Sequence, residues 1–539
     1  MDINLVWDPA RGVNFQEYEG DKATATNSAK AAKATGASAA ADNDASEKAT
    51  ARHVSDAGFL SYPDEGLSEA ERAAVMSFAT LERRLLRRLD WKLIPWLCIL
   101  YLLAFLDRTN IGNAKIAGMN KDLELSDGQY NAALAIFFVS YSIFEPLTNI
   151  LLKKHRPSVF IPVTMMFWGT CMTLMGFVYN WSGLMAGRWF LGLTEAGMFP
   201  GVNYYLSCWY RRDEFGLRAA IFFSAAALSG SFGGALAAGI QHMDGVGNLR
   251  GWSWIFIIEG LLTFVFGIAS FWMVHDFPDE AEFLSDEDKQ RLLRRLDRDQ
   301  QASARREVFK TLYFWQAMRD WKTWMSMAIY MGCDMPLFAV TLFLPTIIDD
   351  LGLNTSTIQS QLWTVPPYAA AAVFTVFMGW LADKFKVRGI CNVCVSMVGI
   401  AGFSMILAAD SPKIKYIGTC LGVMGLYPCV SNTITWIANN TQGVYKRGVV
   451  LGFVIGWGNL SGVLSSFTYR NPPLFIEGHV IVIAFMALCL CAGSLTMMAL
   501  LSRENRKRVQ GKRDCWLDGK TPEEIAELGD NKPCFHYTV

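Results

Sequence analysis

Apolar runs of about twenty residues recur along the chain, each long enough to cross about 30 Å of hydrocarbon at about 1.5 Å per residue. They predict spans over 91–113, 129–152, 158–179, 183–207, 217–240 and 253–274, then 323–348, 359–382, 390–409, 415–437, 448–468 and 479–501. Between the two sets lies a polar stretch, 275–322, dense in Asp, Glu, Lys and Arg, with a helix expected to open at Ser285-Asp286-Glu287-Asp288. This layout predicts an all-α membrane protein, with twelve transmembrane helices in two six-helix halves, 91–274 and 323–501. Residues 1–66 are poor in large apolar side chains and rich in Ala, Thr, Ser and Lys, a composition that cannot offset chain entropy; a disordered tail is expected there. Ser68-Glu69-Ala70-Glu71 forms a capping box that opens a basic amphipathic helix over 67–90, expected to lie along the membrane surface. Residues 502–539 make a second polar tail.

Composition agrees with this reading. Only 18% of residues are charged and 52% are hydrophobic, against about 25% charged in ordinary soluble domains. The zero net charge is an average of apolar spans and charged loops. Most of the twelve cysteines, such as Cys98, Cys171, Cys208, Cys333 and Cys420, lie inside apolar runs, where they behave as small hydrophobes. Cys391 and Cys394 have CxxC spacing, but no second pair stands at a metal-site distance. The short loops carrying Lys153, Lys154, Arg156, Arg211, Arg212, Arg218, Lys384, Lys386, Arg388, Lys446 and Arg447 all lie on one side, so both termini are expected in the cytoplasm. Two Asn-x-Ser sequons, at Asn180 and Asn354, would then face outside.

An ionisable side chain inside a bilayer costs about 2.5 kcal/mol or more unless it is paired or faces water, which makes each one a functional candidate. Arg188 and Glu195 stand seven residues apart in RWFLGLTEAGMFP, so both project from one helix face, about 10 Å apart along the axis. Span 1 ends with Asp107-Arg108-Thr109-Asn110. Counting along the helices puts Arg108 and Arg188 at similar depth, about 25 Å from the inner face, with Glu195 two turns deeper. Glu145, Glu259 and Asp334 are further intramembrane acids, read as helix-kink, packing or gating groups. Tyr330, Phe343, Trp363, Tyr368 and Trp436 are suited either to stacking on a flat ring or to filling the core, and His242 to an exposed loop. The small-residue ladders Gly418/Gly422 and Gly448/Gly452/Gly456 read as helix-packing seams. No nucleophile triad, metal cluster or phosphate loop stands out, so neither an enzyme, a metal, a cofactor nor a nucleic-acid partner is expected.

Gly379-Trp380-Leu381-Ala382-Asp383-Lys384-Phe385-Lys386-Val387-Arg388-Gly389 resembles the loop signature of the major facilitator superfamily. In that motif the glycine permits close helix approach, and the acid pairs across a cytoplasmic gate. The equivalent loop after span 2, Asn149 to Pro157, lacks the acid. Arg188-x-x-x-Gly192 fits the superfamily's arginine motif, whereas Gly230-Ser231-Phe232-Gly233-Gly234 lacks the proline usual in its proton antiporters. LDRTNIGNAKIAGM (106–119), with FEPLTN, GLTEAGMFPGVNYYLSCWY, DFPDEAEFL, FLPTII and YKRG, is similar to the fungal branch of the anion:cation symporters, which includes allantoate, nicotinate, pantothenate and biotin permeases. The look is closest to the high-affinity nicotinic acid type. The resemblance implies a monomeric, proton-coupled importer of a small organic carboxylate at the plasma membrane. It implies Arg108 and Arg188 on the substrate anion, with Asn110 and Tyr330 as further contacts; Asp107 and Glu195 carrying protons; and Gly379, Asp383 and Arg388 gating. An exporter of a fungal secondary metabolite and a non-transporting nutrient sensor stay open as alternatives.

Overall fold

The computed structural model of the chain describes residues 3–6, 14–17, 69–298, 311–351, 356–469, 475–521, 524–525 and 528–539. Among these, eleven helices are long and apolar enough to cross a membrane. The first half comprises span 1 (Glu69–Ala114), span 2 (Asp127–Lys154), span 3 (Pro157–Met175), span 4, span 5 (Arg212–Ile240) and span 6 (Gly251–Met273). The second comprises span 7 (Trp321–Asp350), span 8 (Thr357–Trp363 and Val365–Phe385), span 9 (Arg388–Ala408), span 10 (Pro412–Asn439), span 11 (Val444–Ser465) and span 12. Span 12 runs from Ile476–Phe485 through a wide π segment, Met486–Ala492, into Gly493–Val509.

Span 4 makes the twelfth and is not the single helix expected. It divides into Trp181–Glu195 and Met198–Ser207. Pro200 is the local cause: it has no N–H for the carbonyl of Ala196, and its ring crowds that same carbonyl. Each piece is too short to cross alone, and the break falls directly after Glu195.

Two other expectations change. The basic segment 67–90 is not a separate surface element, because Glu69–Ala114 is one helix whose only internal proline is Pro95. Leu85, Leu86, Leu89 and Leu93 bury its apolar stripe against the protein and leave Arg83, Arg84, Arg87 and Arg88 outside. In the tail read as disordered, Ile3–Val6 pairs antiparallel with Asn14–Glu17, Ile3 opposite Glu17; the Ile-Asn-Leu-Val run has the β-branched content that favours a strand. The rest of that tail lies outside the described residues, as does the sequon at Asn354. Asn180 caps span 4 by accepting from the backbone of Gly183 at 2.7 Å, so its amide belongs to a helix start rather than an open loop. The polar central stretch does carry a helix, Asp286–Arg298, and Ser285 Oγ accepts from the backbone of Asp288 at 3.3 Å.

Spans 3 and 6 pack together, as do 2 and 4 in the first half and 9 and 10 in the second. The 9–10 seam uses one of the glycine ladders: a Cβ at Gly418 would stand 2.7 Å from the carbonyl oxygen of Gly402. The other ladder is no seam, since a Cβ at Gly452 would meet nothing within 4 Å and one at Gly456 would face the Glu145 carboxylate. The halves meet where span 5 packs on span 8 and span 2 on span 11.

Candidate functional site

Arg108 and Glu195 are the centre of the site. Arg108 Nη2 donates to Glu195 Oε1 at 2.5 Å and Nε to the same oxygen at 3.0 Å, with the Glu195 side chain wholly buried. The depth count placed Arg108 level with Arg188 instead. Helix side chains lean toward the N-terminus of their own helix, and span 1 runs opposite to span 4, so the long arginine reaches inward to the deeper glutamate. Glu195 Oε2 has no hydrogen-bond partner. Four aromatic rings surround the guanidinium: Tyr141 at 4.9 Å, Phe137 at 5.4 Å, Phe105 at 5.5 Å and Phe338 at 5.6 Å. Phe338 belongs to span 7, so both halves enclose the charge. A cation over a ring face is held by the ring quadrupole, more strongly when water is excluded.

Arg188 is close by but differently employed. Its Nε donates to the carbonyl of Ala133 at 3.3 Å and its Nη1 to that of Arg108 at 3.5 Å, while its guanidinium lies 4.6 Å from the Phe137 ring. Arg188 therefore ties spans 1, 2 and 4 together, and its Nη2 keeps an unused donor. Asp107 is turned away from Arg108. Its Oδ2 accepts from Thr263 Oγ1 at 2.7 Å and from Trp168 Nε1 at 3.2 Å, between spans 3 and 6. Adjacent residues on a helix point about 100° apart, so the Asp107–Arg108 dipeptide serves two different faces. Glu259 is also fully buried on span 6, with both carboxylate oxygens unpartnered.

The remaining candidates separate in the same way. Asn110 faces Gly233 of span 5, its Oδ1 3.5 Å from Asn113 Nδ2 and its own Nδ2 unpartnered. The ring of Tyr330 lies against Gly458 of span 11 beside Asp334, and Phe338, two turns further along span 7, is the residue that reaches Arg108. The other proposed stacking residues fill structural roles: Tyr368 packs on Gly230, Trp363 on Tyr416, Phe343 on Tyr469, and Trp436 donates to the carbonyl of Thr538 at 2.8 Å. A cross-half contact that local pattern did not suggest is Asn459 Nδ2 to Glu145 Oε2 at 3.1 Å, joining span 11 to span 2.

At one end of the bundle Asp383 and Arg388 form an ion pair. Arg388 Nη1 also donates to Asn432 Oδ1 at 3.1 Å, and Asn432 Nδ2 returns a bond to the Arg388 carbonyl at 2.8 Å. The pair rests on Gly216 of span 5, where a Cβ would collide with both side chains, and Gly379 lies just as close to Ala220. These are contacts between halves. Among the described residues no group of three or more His, Cys, Asp or Glu is placed to hold a metal ion.

The family model described as Major Facilitator Superfamily matches residues 97–466. An uncharacterized transporter of Schizosaccharomyces pombe is 36% identical over 397 residues, which is 74% of this chain and 79% of that protein. The high-affinity nicotinic acid transporter of Saccharomyces cerevisiae is 32% identical over 470 residues, 85% of each chain. Among solved structures, the proton:xylose symporter XylE superposes with a TM-score of 0.56 at 13% identity, over 75% of this chain and 95% of that one, a likeness of fold alone.

Proposed function

The chain belongs to the major facilitator superfamily of membrane transporters, and from that premise we propose that it imports a small organic monocarboxylate together with protons across the plasma membrane, both termini cytoplasmic. The observation that carries the reading is the buried Arg108 guanidinium, held between the halves by four rings and matched by one carboxylate oxygen of Glu195. A guanidinium is a fork that suits a planar carboxylate, and a flat aromatic acid would lie between its rings. Glu195 Oε1 occupies that fork in the structure. Protonating Glu195 releases the guanidinium, and the incoming anion takes its place. Substrate and proton then bind as one neutralising set, and only the filled or the empty, ion-paired carrier passes between its two faces. If more than one proton accompanies each anion, every extra charge gains about 2.3 kcal/mol per 100 mV of membrane potential. Arg188 holds spans 1, 2 and 4 on the outer side of this exchange and keeps a donor for the second carboxylate oxygen.

The relation to a nicotinic acid transporter favours an aromatic acid over a peptide or a sugar. An uptake panel tests this: labelled nicotinate, allantoate, pantothenate, biotin and a dipeptide, each at acidic and neutral external pH. Accumulation of one carboxylate, faster at acidic pH and accompanied by a fall in cytoplasmic pH, is expected. Lower accumulation in expressing cells than in controls would identify an exporter, and binding without flux would identify a sensor.

The Asp383–Arg388 pair on Gly216 is proposed as the cytoplasmic gate. Gly216→Val is expected to push the pair off span 5 and lower the initial uptake rate about tenfold or more at unchanged surface abundance, since overpacking costs about 1–3 kcal/mol. Gly452→Ala, which meets open space, should stay within about twofold of the parent. Equal effects of the two changes would remove the gate from Gly216.

A further inference from the structure

The start of span 1 and the end of span 6 enclose a recess of about 420 Å³, lined by Arg87, Arg88, Trp91, Lys92, Trp272 and Met273, with His275 at its edge. Residues 87, 88, 91 and 92 recur one helical turn apart, so one face of the helix supplies two arginines, a lysine and a tryptophan. The chain becomes continuously apolar from Leu93, and Met273 is the last residue of span 6. The recess therefore sits at the level where two neighbouring spans leave the hydrocarbon.

Its charges are not matched from within. Arg87 and Lys92 have no ion pair among the described residues, and the half-exposed Arg88 meets only Asp288, at 3.5 Å. His275 packs on Phe283 with ring centres 4.5 Å apart. Burial first, and the charge of Lys92 second, lower its proton affinity against the opposing charges of Asp276 and Glu282. The rim is apolar and bare. Trp91 is 80% exposed and Trp272 75% exposed, while Met273, Phe271 and Ile268 continue the open face along span 6. Tryptophan on an outward face at a span end marks the headgroup level of a bilayer. Arg87 and Lys92, without an ion pair among the described residues, and Arg88, shared with Asp288, supply the cations of the recess, while Asp276 and Glu282 act on His275 at its edge. Beneath an apolar rim that continues down a lipid-facing helix, these cations match a molecule with an anionic phosphate at one end and acyl chains at the other.

We propose that this recess binds the phosphate-bearing headgroup of an anionic phospholipid, its chains running along the exposed end of span 6. The shared chemistry with a soluble phosphate is the anion; the apolar rim distinguishes the lipid. The test uses the full chain purified in detergent and titrated with fluorescent phosphatidylserine, with fluorescent phosphatidylcholine as the neutral comparison. Phosphatidylserine should bind saturably and phosphatidylcholine should not. The double variant Arg87→Gln/Lys92→Gln should weaken phosphatidylserine binding about thirtyfold, at about tenfold per 1.4 kcal/mol and about 1 kcal/mol for each basic residue near an anionic surface. Arg83→Gln/Arg84→Gln removes two exposed arginines one turn earlier, outside the recess, and should leave affinity within about threefold. Equal binding of the two lipids, unchanged affinity in the first variant, or equal loss in both variants would overturn the proposal. Displacement of phosphatidylserine by inorganic phosphate at comparable concentration would also overturn it, since that would assign the recess to a soluble anion. All the substituted side chains are exposed, and an unchanged melting temperature confirms that each variant is folded.

Discussion

Arg108→Ala is expected to abolish concentrative uptake, with the initial rate falling by at least about a hundredfold at unchanged surface abundance. Removing one partner of a buried ion pair costs about 3–5 kcal/mol, because the other charge is left without compensation. Here the group left behind is Glu195, fully buried and with one oxygen already unpartnered. The four rings around the guanidinium would also lose their cation. Glu195→Gln is the discriminating companion. The amide keeps the size and can still accept from Arg108, but it can neither gain nor lose a proton. Uptake driven by an imposed pH gradient should vanish in proteoliposomes, while exchange of labelled for unlabelled substrate continues. Asp107→Asn should behave differently, because Asp107 accepts from Trp168 and Thr263 and makes no bond to Arg108. Its uptake is expected to keep the parent's dependence on pH, with at most a lower amount of folded protein. Uphill uptake by Glu195→Gln at the parent's level would remove the proton from Glu195, and loss of pH dependence in Asp107→Asn would move it to span 1.

The spans were legible because twenty apolar residues in a row have few other uses, and the intramembrane charges stood out for the same reason. Arg108, Arg188 and Glu195 do come together, but which arginine holds the glutamate was not visible from Cα depth. A side chain as long as arginine shifts its charge by about a turn, in a direction set by the helix it leaves. The break in span 4 has a local sign in Pro200, masked by the apolar residues that continue on both sides of it. Phe338 had no sign at all, since one phenylalanine among 35 is singled out only by the charge it meets across the bundle. The same holds for Glu145 with Asn459, 314 residues apart. Such pairs depend on how two halves face each other, and no local period encodes that.

The polar segment after span 12 is expected to act as a strap on the second half, and Asp530→Asn to release it. Asp530 is completely buried between Lys322 of span 7 and Lys446 of span 11, with its bond to Lys446 2.6 Å long. Asp320 shares the same lysines, at 3.2 Å from Lys322 and 3.1 Å from Lys446. Tyr537 adds a second layer: its hydroxyl accepts from Lys322 at 2.9 Å and from Arg508 at 2.8 Å, and donates to the Asp530 carbonyl at 2.9 Å. Beyond it, Asn440 holds both backbone groups of Thr538, and the Arg388 backbone N–H donates to the Val539 oxygen at 3.2 Å. Without the Asp530 charge, two buried lysines share one carboxylate, a loss of about 3–5 kcal/mol. That exceeds what a short peripheral segment needs to open locally, so the strap should detach while the bundle stays folded. Limited proteolysis should cut the variant between 511 and 521 at least about tenfold faster. Asp518→Asn, on an exposed turn, should match the parent. Burial alone would push the Asp530 carboxyl up, but Lys322 and then Lys446 outweigh it and hold the carboxyl below its ordinary value. Its stabilisation is therefore complete above about pH 4, the unfolded value, and is lost only as pH falls through the lower folded value. The strap should stay docked across the acidic and neutral conditions of an uptake assay, and the variant should be open across all of them. Parent-like protection of Asp530→Asn would show that Tyr537 and the backbone contacts hold the segment without the ion pairs.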